Sequence, residues 1–200
     1  MAMNSLSVLG GNFATTAYVN SVASLRLITP TSIANSGGSA SVSGGEVTFT
    51  GVSSISFNGV FSATYDNYRI ITKATASTRV ALNMRMRVAG VDNTTANYQA
   101  QLSGAEAAAG VFVRASNQTS GRIAAVDTTT TPISTDIMSP FLAEVTVMTS
   151  LVGLAAATTG NSVAMESMGH NVASSFDGFT LLPASGTLTG KIRIYGYQNS

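Results

Sequence analysis

Apolar and polar residues alternate with a period of two along much of the chain, most clearly from Glu46 to Ile71. Val47 and Phe49 alternate with Glu46, Thr48 and Thr50, and Ile55 and Phe57 with Ser54, Ser56 and Asn58, the period of a half-buried strand. Asn58-Gly59 supplies turn chemistry, because both residues tolerate positive φ. The aromatic clusters Val60-Phe61 and Tyr65 to Tyr68 then lead into a further strand through Arg69-Ile70-Ile71. The stretch reads as strand, turn, strand.

The same reading predicts strands at Val80 to Val88, Tyr98 to Leu102, Val111 to Arg114, Arg122 to Val126, Phe141 to Thr149, Val163 to Met168, Phe179 to Leu182 and Lys191 to Tyr197. Turn signals separate them: Gly90 with Asp92-Asn93, Gly104, Asn117, Thr128 to Pro132, Gly160-Asn161, Asp177-Gly178 and Ser185-Gly186. Many short strands with regular turns predict an all-β protein built on a single jelly-roll-like β-sandwich. Ala105 to Ala109 reads as one helical turn. The apolar run Val145 to Ala157 reads as core strand and turn. Arg85 and Arg87 share a strand face with Asn83, opposite Leu82, Met84, Met86 and Val88, and that face is expected to be solvated or to contact another subunit.

The period changes near the start. Ala14, Tyr18, Val22 and Leu25 are spaced by four, four and three residues, which predicts a helix from Ala14 to Ile28 capped by Thr15 or Thr16. Such a helix is marginal alone, so it either packs against copies of itself or lies on its own domain. Thr29-Pro30 ends it. The predicted organisation is an attachment or oligomerisation segment at 1–28, a Gly/Ser-rich linker or opening hairpin at 29–45, and the sandwich at 46–200.

Composition narrows the function. The chain has 200 residues, 10% of them charged, against roughly 25% in average soluble proteins, so Ser, Thr, Asn and Gly make most of its polar surface. That surface suits a protein packed among its own copies or within a larger assembly. A net charge of +1 argues against nucleic acid as a partner. No run of about 18 apolar residues predicts a membrane crossing, and no basic start predicts a signal peptide. Without cysteine there is neither a disulfide framework nor a thiolate site.

Candidate chemistry is sparse. His170 is the single histidine; on a strand Glu166 would share its face but lie about 13 Å away, too far for a shared metal ion. The reading is a structural or interface histidine at a strand end. Asp66, Asp92, Asp127, Asp136 and Asp177 stand in turn-like settings, and no nucleophile elbow or phosphate loop occurs. No catalytic residue, metal ligand or cofactor site is assigned, and the protein is not expected to be an enzyme. The one ligand-like feature is the face of the last strand: Lys191, Arg193, Tyr195 and Tyr197 fall on one side, opposite Ile192, Ile194 and Gly196. That side is either a sugar-stacking surface or a subunit contact.

Several phrases occur together in a telling order: Leu27-Ile28-Thr29-Pro30-Thr31-Ser32-Ile33-Ala34 with Ser36-Gly37-Gly38-Ser39, then Val52-Ser53-Ser54-Ile55-Ser56 with Asn58-Gly59-Val60-Phe61, then Tyr65-Asp66-Asn67-Tyr68-Arg69-Ile70. With the closing Asp177-Gly178-Phe179-Thr180-Leu181 and Gly190-Lys191-Ile192-Arg193-Ile194-Tyr195-Gly196-Tyr197, this order resembles virion structural proteins of tailed bacteriophages, of the minor tail or tail-fibre type. Ala14 to Asn20 is similar to the stem segments preceding fibre modules. The resemblance spans most of residues 14–197, with 90–160 similar only in character. It implies a multimeric virion component on the tail, in contact with other virion proteins and with a host cell-surface glycan as its candidate ligand, while the low charge and the Ala14, Tyr18, Val22 and Leu25 stripe predict a homotrimer. A capsid decoration or head-fibre protein is the alternative, and a carbohydrate-active enzyme a further one.

Overall fold

The computed structural model describes residues 24–106, 109–156 and 160–199. Its elements are all strands: β1 (Leu25–Ile28), β2 (Ser32–Ser36), β3 (Ser39–Ser43), β4 (Glu46–Val52), β5 (Ser54–Asn58), β6 (Asn67–Ala76), β7 (Val80–Val88), β8 (Val91–Asp92), β9 (Tyr98–Glu106), β10 (Ala109–Gln118), β11 (Gly121–Val126), β12 (Thr131–Met138), β13 (Glu144–Ala156), β14 (Gly160–Ser174), β15 (Gly178–Pro183) and β16 (Leu188–Tyr197). They form two antiparallel sheets. The larger runs β10-β9-β14-β13-β12-β6-β16-β4-β3, with β1 also on β16; the smaller runs β11-β7-β15-β5-β2, with β8 on β7.

The core lies between the sheets. Val47, Phe49, Ile70, Met148, Met168, Ile192 and Ile194 point inward from the larger sheet, and Ile55, Phe57, Leu82, Met84, Met86, Phe179 and Leu181 from the smaller. At its centre Phe57 stacks on Phe179 at 4.7 Å, and Phe61 meets Tyr68 edge-on at 4.7 Å. Such ring pairs add to the gain from burial itself.

The stretch 46–71 divides differently from its sequence reading. β4 belongs to the larger sheet, β5 to the smaller and β6 to the larger again, so Asn58-Gly59 opens a crossing between sheets instead of closing a hairpin. The inward phase also slips, from Val47 and Phe49 to Val52. Opposite β16, Leu188 pairs with Val52 and Gly190 with Phe49, so two β4 residues oppose Thr189. This is a β-bulge, and Gly51 adopts φ +64° there, a conformation that costs glycine little.

Other readings change as well: Gly104, Asn117 and Gly160-Asn161, read as turns, lie in β9, β10 and β14. Leu25 to Ile28 do not end a helix: they form β1, paired from Leu25↔Tyr197 to Ile28↔Ile194. Ala14, Tyr18 and Val22, and with them the rest of the predicted helix up to residue 23, lie outside the described residues. Residues 29–45, read as a linker or an opening hairpin, carry β2, which joins β5, and β3, which joins β4; strand pairing absorbs their polar Ser/Asn/Gly backbone. Ala105 and Ala109 sit in β9 and β10, where Gly110 pairs with Ala105. Thr131 and Pro132, read as turn, begin β12, whose inward hydroxyls are satisfied: Thr131 Oγ1 accepts from the Asp127 N–H at 3.3 Å, and Thr135 Oγ1 and Ser150 Oγ lie 2.8 Å apart across the strands.

Candidate functional site

β16 alternates strictly, turning Ile192 and Ile194 inward and Lys191, Arg193, Tyr195 and Tyr197 outward. The four predicted residues therefore share the outer face of the larger sheet. Their own chain engages three of them. Arg193 and Lys191 reach Glu46 on β4 at 2.8 and 3.6 Å. The Tyr197 hydroxyl donates to Asp136 Oδ1 at 2.7 Å, and the Arg69 guanidinium lies 5.5 Å from the centre of the Tyr197 ring.

Asp136 is the hub of that cluster. Arg69 binds it through two parallel N–H donors, at 2.8 and 2.7 Å, the fork geometry that suits guanidinium and carboxylate. These bonds, with the Tyr197 hydroxyl, hold the Asp136 carboxyl below its ordinary range against the opposing effect of burial. The same bonds raise Arg69. A ring whose face carries a cation offers that face poorly to a sugar.

Across the molecule, the outer face of the smaller sheet carries Arg87. The sequence predicts a face that is solvated or contacts another subunit, but the Arg87 side chain is 10% exposed and held by its own chain. Its N–H groups reach Asn58 Oδ1 at 3.0 Å, Ser56 Oγ at 2.9 Å and Thr180 Oγ1 at 2.8 Å, and also bind the Asp92 carboxylate and the Gly90 carbonyl. The cause is local: Ala89 and Gly90 adopt positive φ and fold β8 back on β7, carrying Asp92 over the guanidinium. Val88, expected inward, is exposed. The cluster satisfies its own donors and acceptors, as a structural clamp does.

Inside the sandwich, Glu166 is 1% exposed. Burial pushes its carboxyl up to about 6, against the pull of Arg122. Arg122 Nε lies 3.2 Å from Oε1 with hydrogen-bond alignment and 3.0 Å from Oε2 without it. The nearby cavity, between β11 and the strands β9, β13 and β14, holds about 60 Å³, room for little more than ordered water.

His170 lies within β14, not at its end. It is fully buried between the Tyr98 and Phe176 rings, each 5.0 Å away, and its Nδ1 donates to the Val172 carbonyl at 2.9 Å. Glu166 and His170 thus share the inward face with different partners. Among the described residues no group of three or more His, Asp or Glu could hold a metal ion.

No family model and no curated protein matches the chain.

One surface the alternation did not single out is the outer face of β10, β9, β14, β13 and β12. Phe112 is 80% exposed, Met165 62% and Leu151 59%, with Val163 and Val147 beside them. Pairing sets Phe112, Ser103, Met165, Leu151, Ser134 and Ile71 in one row across six strands. Open grooves of about 390 Å³ and 270 Å³ flank the Met165–Leu151 ridge, one over Ser103 and Gln101, the other over Ser134 and Thr149. A contiguous exposed apolar patch of this kind marks an interaction surface. In sequence, β13 alternates Val147 and Leu151 with Met148 and Val152, so both faces read as core and only the structure separates them.

Proposed function

We propose that the protein is a structural component of a tailed-bacteriophage virion, carried on the tail as a minor tail or fibre-like protein that presents its sandwich for contact with the host surface. The observation that carries the reading is the exposed apolar outer face of the larger sheet, which suits a protein that lives in an assembly. The ordered phrases from Leu27 to Ile70 and from Asp177 to Tyr197 supply the kind of assembly by resemblance. Successive strands β4, β5, β6 and β7 change sheets each time, which supports a jelly-roll-like variant of the sandwich. The charged clusters around Asp136, Arg87 and Glu166 serve the fold, which supports a structural role. Its partners are copies of itself and other virion proteins, with a host glycan as the candidate ligand.

Immunogold labelling of intact particles tests this. Label on the tail is the expected result. Label on the capsid would replace the tail role with a decoration role, and label absent from particles would overturn the proposal.

A further inference from the structure

The outer face of the larger sheet is complementary to itself. Among its five strands β10, β9, β14, β13 and β12, β14 is central. For two such faces to meet by two-fold symmetry, the axis must lie in the plane between them. An axis running along a strand places strands equally far to its left and right over one another, at the same level of the row.

Two axes parallel to the strands lie at the ridge, and the side chains choose between them. An axis between β13 and β14 would set Ser103 over Ser134, Phe112 over Ile71 and Arg114 over Arg69, stacking small on small, large on large and cation on cation. An axis along β14 sets Leu151 of one copy over Ser103 of the other, and Phe112 over Ser134. Each large side chain of the row beside the axis then enters one of the two grooves already described, while on the axis itself Val163 and Met165 meet their own equivalents, Met165 with a flexible side chain suited to that contact.

Charge follows the same axis. Arg114, Gln101, Ser167, Thr149 and Asp136 form the next row. Arg114 and Asp136 stand at its ends, so each would face the other's counterpart across the axis. Arg114 has no ion-pair partner among the described residues, and the Asp136 carboxylate, already bound to Arg69 and Tyr197, keeps lone pairs for a second guanidinium. Area agrees as well. Phe112, Met165, Leu151, Val163 and Val147 expose roughly 500 Å² together, and the polar positions between them bring the face near the ~800 Å² per partner of a standard interface.

We propose that a second copy of this chain covers this face, in a two-fold contact whose axis runs along β14 through Met165 and Ser167. The contact does not depend on where a virion would carry the protein.

The absence of native cysteine makes the test direct. Light scattering on the whole chain should give twice the 20.4 kDa chain mass. Met165→Cys treated with a bismaleimide spanning about 10 Å, the spacing of packed sheets, should yield cross-linked pairs, whereas Ser41→Cys on β3 should not. Leu151→Asp should shift the mass to monomer with its melting temperature kept. Should that variant fold poorly, Ser103→Arg, which fills the groove receiving Leu151, should do the same. A monomeric wild type, a mass three times that of the chain (the trimer expected from the sequence), or a dimer untouched by Leu151→Asp and uncross-linked at Met165 would each overturn the proposal; the last is what pairing through the β10 edge would give.

Discussion

Arg69 on β6 and Asp136 on β12 are direct neighbours in the strand register and join through two parallel hydrogen bonds on the outer face of the larger sheet. The Asp136 carboxyl, held low chiefly by Arg69, contributes stability that is present above its unfolded pKa and lost as pH falls through its folded one. Asp136→Asn should therefore lower stability at pH 7 by about 1 kcal/mol, a figure that allows for solvent screening of a partly exposed pair. The deficit should close as the pH falls below about 4. Thermal melts of both proteins across pH 3 to 8 check it, and a deficit independent of pH would refute the electrostatic account.

Glu166 has the opposite sign. Its folded pKa, about 6, lies above the ordinary 4.5, so the stability its protonated form contributes is full below 4.5 and is lost as pH rises through 6. Glu166→Gln should stabilise the protein above pH 7, by on the order of 2 kcal/mol at most. The gain should vanish near pH 4. Denaturant midpoints at the two pH values decide it, and a destabilised Gln variant at pH 7.5 would show that the attraction of Arg122 outweighs burial.

Arg87 is a clamp, and removing it strands its acceptors. Arg87→Ala should cost about 2 to 3 kcal/mol, because Asp92, Ser56 and Thr180 then lose a charged donor in a largely buried setting. Arg87→Lys should recover only part of this, since an ammonium cannot reproduce the fork. Urea unfolding of the two variants measures both numbers; equal losses would mean that charge alone matters.

The place of β1 separates two truncations. A chain beginning at Ser24 keeps β1 on β16, whereas one beginning at Thr29 removes it and leaves residues 194–197 unpaired on that side. The first should melt close to the full chain, and the second several degrees lower. Loss of cooperative unfolding already in the first would place residues 1–23 in the fold.

Legibility in the sequence followed exposure. Val80 to Val88 was read to the residue as β7 because its inward face is apolar and its outward face polar. β2 and β3 read only as a linker or opening hairpin because nearly all their side chains are exposed, so backbone pairing with β5 and β4 holds them without an apolar pattern. β12 was missed for the opposite reason: Thr131 and Thr135 are buried among Ile133 and Ile137, and their hydroxyls disguise the inward face. The Lys191, Arg193, Tyr195 and Tyr197 side followed from simple alternation. Burial of Arg87 did not, since it depends on a turn that brings Asp92 back over it.

β16 follows every other described strand yet lies inside the larger sheet, between β6 on one side and β4 and β1 on the other. During synthesis the sheet therefore waits, with the edges of β4 and β6 unpaired, until the final strand of the sandwich has left the ribosome. Such edges recruit other chains, and contacts spanning most of the sequence form slowly. The nascent protein is thus most prone to aggregate until β16 emerges, and yield in the cell should depend more on chaperone supply and growth temperature than on the stability of the finished fold.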